Sequence, residues 1–278
     1  MNLTVLLDNN TFIDRYFLGE PGVSYFIEAD GVKVLFDAGY SDAFIRNAQK
    51  MGINLLDVDV VVLSHGHLDH TWGLAPLVQL YSEGIIEKRA VKRPRLVAHP
   101  HVLASRRLDD VPEIGSMLSA EKLAAFFDLQ FSREPLQLTD RLTFLGEIGR
   151  CTDFEAQKPI GAILDNGMEV ADSLLDDSAL VYRAPAGLVI ITGCSHSGIC
   201  NIVAHAQQVT GEQRVLDIIG GFHLLDPSEQ QLQGTLDFLS AVQPGCVHAC
   251  HCTDLHSKIA LASALPLKEV GVGLVLAY

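Results

Sequence analysis

The chain has 278 residues, 48% hydrophobic and 19% charged, which excludes a disordered polypeptide and allows a large apolar core. Its formal net charge of -14 argues against general nucleic-acid binding, which needs surplus Lys and Arg against the phosphate backbone. Residues 1–8 lack the basic and long apolar regions of a secretory signal, no uncharged run reaches membrane-spanning length, and the six cysteines are too few for a disulfide framework. The expectation is a cytoplasmic protein with reduced thiols and neither a membrane nor a nucleic-acid partner; its oligomeric state is left open.

Residues 2–8 alternate enough for a first strand. Ser24 to Ile27 and Val32 to Phe36 read as a hairpin about Asp30-Gly31, a type I′ turn, and the hairpin ends in Asp37. Ser41 to Met51 has the spacing of a short amphipathic helix. Val60-Val61-Val62-Leu63 then reads as a buried strand that ends in Ser64-His65-Gly66-His67-Leu68-Asp69-His70. Four metal-ligand side chains, His65, His67, Asp69 and His70, are hard to explain there as packing. Gly66 is expected to let the backbone turn tightly enough for two imidazoles to converge. Asp69 and His70 cannot share one centre with both, which points to a second ion; two ions roughly 3.5–4 Å apart can activate water and hold the oxygens of a displaced group.

From Trp72 to about Ser82 a helix sets Leu74, Leu77, Val78 and Tyr81 on one face. The basic loop Lys88 to Arg95 is either solvated or turned toward an anionic substrate. Arg95 to Ala98 is a strand followed by His99-Pro100-His101, where proline breaks the geometry of paired ligation and favours a structural role. Residues 105–118 are irregular, Ala120 to Phe127 reads as a helix, and Thr143 to Arg150 leads into the polar stretch Cys151 to Glu155, of the kind that shapes a substrate pocket. Glu147 and Arg150 are candidate pocket residues. The second half repeats the first: a hairpin from Ser178–Tyr182 and Leu188–Thr192, the turn Gly193-Cys194-Ser195-His196, a helix from Ile199 to Val209, and a strand Val215–Ile219 ending in Gly220-Gly221-Phe222-His223. Two related halves would bring Asp37, His65, Cys194, His196 and His223 to one edge. A helix over residues 228–241, a strand Cys246 to Thr253 with His248 and His251, a final helix and a strand Val270 to Tyr278 close the chain. Cys250-His251-Cys252 lacks the second cysteine pair of a zinc finger.

The run His65-Gly66-His67-Leu68-Asp69-His70 resembles the hallmark of the metallo-beta-lactamase superfamily. The resemblance implies an α/β fold, a four-layer αββα sandwich forming a single domain over residues 1–278, with one or two ions at the sheet edges and mostly hydrolytic chemistry. Diiron oxygen-reducing members usually carry Glu where this chain has His67, together with a flavin domain. With Gly193 to Asn201, Gly220 to Leu224 and His251-Cys252-Thr253, the sequence resembles the branch named 7,8-dihydropterin-6-yl-methyl-4-(β-D-ribofuranosyl)aminobenzene 5′-phosphate synthase.

That resemblance implies site roles. His196 becomes the third ligand beside His65 and His67, although it follows the hairpin strand where the usual pattern has it before. Cys194 stands at the place of the bridging aspartate, as a thiolate ligand or as a small buried cysteine. His251 joins Asp69 and His70, His223 is a general acid or anion contact that competes with His251 as ligand, Asp69 is also catalytic, and Asp37 orients the ligand loop. Phe222 is expected to pack under a flat ring. The implied cofactors are two divalent ions, zinc with manganese or iron as alternatives. The function expected is a metal-dependent hydrolase acting on a small anionic, phosphate-bearing molecule. The alternatives are a transferase condensing a dihydropterin-methyl diphosphate with a (ribofuranosyl)aminobenzene 5′-phosphate, and a non-catalytic metal-binding protein.

Overall fold

The structure, a computed structural model, describes residues 1–165 and 167–278. Its first half runs β1 (Asn2–Leu7), β2 (Ser24–Ala29), β3 (Val32–Phe36), α1 (Ala43–Lys50), β4 (Val60–Val62), α2 (Leu68–Thr71), α3 (Leu74–Ile86), β5 (Arg95–Ala98), β6 (Arg106–Arg107), α4 (Ala120–Leu123) and β7 (Asp128–Phe131). Then come β8 (Leu136–Gln137), β9 (Leu142–Phe144), β10 (Ala162–Asp165), β11 (Met168–Ala171), β12 (Ala179–Ala184), β13 (Gly187–Thr192), α5 (Ile199–Thr210), β14 (Val215–Gly221), α6 (Glu229–Val242), β15 (Cys246–Cys250), α7 (Leu255–Ala264) and β16 (Val275–Ala277). No helix among the described residues is long and apolar enough to cross a membrane.

A seven-stranded sheet in the order β16-β1-β2-β3-β4-β5-β7 faces a six-stranded sheet in the order β15-β14-β13-β12-β9-β8. The apolar runs are continuous because both faces of each sheet are covered. In β4 and the residue after it, Val60 and Val62 enter the core between the sheets, while Val61 and Leu63 enter an outer core with Phe44, Leu74, Leu77 and Tyr81. β13 does the same: Val189 and Ile191 point between the sheets, and Leu188 and Ile190 pack with Ile199, Val203, Leu239 and Leu261 of the helices. Helices, sheet, sheet and helices therefore form four layers. In each half an antiparallel hairpin, β2-β3 or β12-β13, is followed by two parallel additions, β4 and β5 or β14 and β15. The C-terminal ends of β3, β4, β13, β14 and β15 therefore deliver the candidate ligands. Asp30 and Gly31 have φ of 52° and 82°, as the expected type I′ turn requires.

Several expected elements differ. The stretch read as irregular contributes Arg106 and Arg107 to a third sheet, β11-β10-β6, outside the two main sheets. The helix expected to Phe127 ends at Leu123, because Asp128 must start an edge strand paired with Arg95. The last strand pairs only over Val275–Ala277. In the basic loop, Lys92 lies 2.8 Å from both Asp57 and Asp59, and Arg93 lies 2.6 Å from Asp128. The charges of Arg89, Lys92 and Arg93 are therefore held by nearby carboxylates.

Burial depth predicts where this fold is sensitive. Phe144, fully buried between the sheets, should lose about 3–5 kcal/mol on substitution by Ala. Ile86→Ala, at a side chain that is 79% exposed, should stay within about 0.5 kcal/mol of the parent in the same urea titration.

Candidate metal centre

At the shared sheet edge, His65, His67, Asp69, His70, Cys194, His196 and His251 converge. Three of the rings are held by an oxygen on their Nδ1 side. Asp37 Oδ2 accepts from Ser64 Oγ and from His70 Nδ1, each at 2.7 Å, while Ser64 Oγ accepts from His65 Nδ1 at 2.9 Å. Asn9 Oδ1 lies 2.8 Å from His251 Nδ1 and accepts a hydrogen bond from it when that nitrogen is protonated, while the Gly22 N–H approaches the same nitrogen at 3.3 Å. A proton fixed on Nδ1 leaves the Nε2 lone pair free, and these lone pairs point inward. His70 Nε2 is 3.2 Å and His251 Nε2 3.1 Å from Cys194 Sγ; His251 Nε2 is 3.2 Å from Asp69 Oδ2.

His65 Nε2 and His196 Nε2 stand 3.1 Å apart, and the buried His67 Nε2 has no hydrogen-bond partner. A shared proton reconciles two lone pairs but leaves the third without a partner, which a cation at this point would supply. Donor atoms fall into two sets, His65-Cys194-His196 and Asp69-His70-Cys194-His251, with all atoms of a set within 4.8 Å of one another. His67 adds to the first set, its ring centroid 4.7 Å from that of His65 and 4.8 Å from that of His196. Cys194 belongs to both, so the residues present fit a pair of divalent ions that share one thiolate.

Charge is distributed to match. Burial, reinforced by neighbouring histidines, holds His65 and His196 neutral, and burial with the Arg106 charge lowers His67 to about 4. These rings need not lose a proton to become ligands. Burial opposes the charge on His70, but Asp69 and Asp37 outweigh it and raise the ring to about 9, so in the metal-free protein its Nε2 holds a proton that a cation would displace. Burial likewise opposes ionisation of Asp69, yet His70 and His251 hold its carboxyl well below the usual range. A carboxylate held ionised in this way is suited to the ligand role expected of it.

The backbone is strained at this edge. Asp37, Ser195, His223 and His251 follow β3, β13, β14 and β15 with φ of 57°, 61°, 50° and 48°, a conformation that costs non-glycine residues about 1–3 kcal/mol each. The loop of His65 and His67 is fixed from below. Gly66 N donates to Asp176 Oδ2 at 2.8 Å, and the buried Arg106 lies 2.7 Å from Asp172 and 2.8 Å from Asp176. Gly66 is needed for close approach rather than for a special turn: a Cβ there would lie 2.0 Å from Arg106 Nη1 and 2.3 Å from Val102 O. Sequence reasoning missed Arg106, Asp172, Asp176 and Asn9, which carry no metal-ligand spacing; the only signal was an acidic run before β12.

Other expected residues lie as follows. His223 is in neither donor set; its ring packs on His196 with centroids 4.3 Å apart, and its buried Nδ1 has no partner. Phe222 is 2% exposed and belongs to the outer core with the helices, because alternation along β14 turns it away from the site; the expected stacking under a substrate ring is corrected. Glu147 engages His99 at 3.3 Å and Arg133 at 3.1 Å, and Arg150 donates to the carbonyls of Ser173 and Leu174. These partners hold both away from the two cavities at the centre, correcting their placement as pocket residues. One cavity, about 280 Å³, is lined by His67, Asp69, Cys194, His196, His223 and His251. The other, about 470 Å³, shares His196 and His223 and extends to residues 153–160 and the start of α6.

A four-layer sandwich with this histidine-rich edge is the architecture of the metallo-beta-lactamase superfamily, to which the chain belongs; residues 18–150 match the model described as "Metallo-beta-lactamase superfamily". The chain is 31% identical over 260 residues to the 7,8-dihydropterin-6-methyl-4-(beta-D-ribofuranosyl)-aminobenzene-5'-phosphate synthase of Methanocaldococcus jannaschii, an alignment covering 87% of this chain and 84% of the relative. Tm1679, described as a metal-dependent hydrolase of the beta-lactamase superfamily, superposes with a TM-score of 0.84 at 27% identity, covering 100% of this chain and 99% of the other. Zn(2+)-bound PqqB from Methylobacterium extorquens shares the fold at a TM-score of 0.55 and 12% identity, with 100% of both chains covered.

Two predictions follow from the hydrogen bonds and charges. Asp37→Ala removes the acceptor that orients His70 and Ser64, and metal affinity in a chelator competition should fall roughly 10–100-fold. In the chelator-treated protein, His65, His67 and His196 lie below 6.5, so the unfolded chain takes protons first and stability falls on acidification below that pH, through about 4 for His67. His70 has the opposite sign: its contribution is complete below 6.5 and is lost as pH rises through about 9. Melting temperature should therefore peak near pH 6.5, and a flat profile from there to pH 9 would count against the His70 assignment.

Proposed function

We propose that the protein is a divalent-metal-dependent transferase that joins two small phosphate-bearing substrates, a dihydropterin-methyl diphosphate and a (ribofuranosyl)aminobenzene 5′-phosphate. It rests on one observation, that cavities of about 280 and 470 Å³ meet at His196 and His223, giving far more room beside one reactive edge than a single small phosphate ester needs. The synthase relative, aligned over most of both chains, supports the same assignment.

Two ions would be held by His65, His67, His196 and by Asp69, His70, His251, with Cys194 common to both sets. The thiolate and imidazoles favour zinc, with iron next and the harder manganese least suited. Bound ions supply positive charge that holds anionic oxygens and stabilises the charge gathering on a leaving group. In the transfer, the C–O bond to the diphosphate breaks and its electron pair leaves with that group. The aniline nitrogen forms the new C–N bond and releases one proton to solvent. His223 is set to assist departure. Burial opposes its charge, but Cys252 and the carboxylates of Asp177 and Asp69 raise its pKa, favouring a proton available to a leaving oxygen. Asp37, Ser64 and Asn9 hold the ligand rings in one tautomer.

A hydrolase acting on a single phosphate-bearing molecule is the second reading, favoured by the likeness to the metal-dependent hydrolase Tm1679. Product analysis separates the two. Diphosphate released only when both substrates are present supports transfer; orthophosphate or an alcohol from a simple ester supports hydrolysis; bound metal with no turnover of either supports a non-catalytic protein. His223→Ala should keep the parent metal content and lower turnover by roughly 10²–10⁴-fold, whereas His251→Ala should lose one metal. Loss of metal from His223→Ala and retention by His251→Ala would reverse the two roles.

A further inference from the structure

The larger cavity is walled by a segment whose position is tightly fixed. Asn201 Oδ1 accepts from the backbone N–H of Cys151 at 2.9 Å and of Thr152 at 3.0 Å. The buried Glu155 carboxylate accepts from the N–H groups of Cys200 and Asn201 at the start of α5, at 3.0 and 3.2 Å. Phe154 lies between these two anchors. Its ring is seated on α6 at Gly234, where an added Cβ would come within 2.8 Å of ring carbons. Glycine inside a helix is unfavourable relative to alanine, so this one is accounted for by the ring it accommodates. The aromatic wall is thus held before any ligand arrives, which reduces the ordering cost of binding.

Polar groups on the same cavity suit a ring edge more than a second phosphate. Gln230 and Gln231 line it, and among the described residues neither side-chain amide has a hydrogen bond, while Lys158 and Asp153 bring opposite charges. Two amides, each with a donor and an acceptor end, match the alternating edge of a fused nitrogen heterocycle. The ligand cavity around Cys194, at about 280 Å³, is small for such a ring together with a diphosphate, and the adjoining 470 Å³ supplies the space.

We infer that the cavity walled by Phe154 is a second subsite that takes the nitrogen heterocycle of the substrate, its ring against Phe154 and its edge on Gln230 and Gln231, while the diphosphate stays beside the metal ligands. This rests on the proposed function for the position of the diphosphate. It makes Phe154 and Gly234 determinants of substrate specificity.

The test uses the metal-loaded full chain with two probes, fluorescent 6-hydroxymethylpterin for the ring and inorganic diphosphate for the metal side. Parent protein should bind both at once. Phe154→Ala should weaken the pterin roughly tenfold, as expected for a lost aromatic contact. Gly234→Ala, which favours the helix and so should fold, must displace the Phe154 ring and weaken the pterin similarly. Phe154→Tyr should retain binding. Metal content and diphosphate affinity should match the parent in all three. Pterin binding that is unchanged in both alanine variants, or that competes fully with diphosphate, would overturn the subsite while leaving the proposed function standing; a parent that binds diphosphate but no pterin would overturn both the subsite and the pterin substrate. Failure of the parent to bind diphosphate or metal would instead defeat the proposed function.

Discussion

Asp37 accepts three hydrogen bonds at 2.7 Å, from Ser64 N, Ser64 Oγ and His70 Nδ1, and is fully buried while doing so. Through Ser64 it orients His65, and through its other contact it orients His70, so rings from both donor sets depend on one carboxylate. The carboxylate sits in turn on a backbone with φ of 57° at the end of β3. That strain persists because both faces of the sheet are buried and the strand cannot shift without exposing its core. Packing far from the ligands therefore fixes the angles between them.

Much of this was legible in the sequence, and for a physical reason. Alternation within Val60 to Leu63 feeds two different cores, and an apolar strand ending abruptly in His-x-His-x-Asp-His leaves little other use for the polar end. The hairpin turns and the parallel between the halves could be read the same way. Phe222 could not, because which face of a strand meets the ligands is decided by register between β14 and its neighbours. The Arg106-Asp172-Asp176 cluster was equally hidden. Its members lie up to 70 residues apart and carry no periodicity, so only their meeting beneath Gly66 reveals what they hold.

The parallel between the halves extends to what each strand delivers. β3 leads to Asp37 and β13 to the turn of Cys194; β4 leads to His65 and β14 to His223; β5 leads to His99 and β15 to His251. His251 is in one of the donor sets, whereas the corresponding His99 is buried beside Glu147. One scaffold thus holds six strand ends, and a change in the partner of a single ring separates a ligand position from a structural one. The ring at His251 meets Asn9 and Asp69; the ring at His99 meets a carboxylate that is itself occupied by Arg133.

Cys194 belongs to both donor sets, so the loading of one set would be thermodynamically linked to the loading of the other. Burial raises the pKa of its thiol, so a first cation would have to displace that proton, and a second would then meet sulfur that is already anionic. Deprotonation is charged once to a process with two steps. Against this favourable linkage would stand the repulsion between two dications held on one atom. The balance of those terms, rather than the intrinsic strength of either site, determines whether the half-filled form is populated. A single sulfur oxidised would alter both sites together, coupling the loading state of the protein to the redox condition of its surroundings.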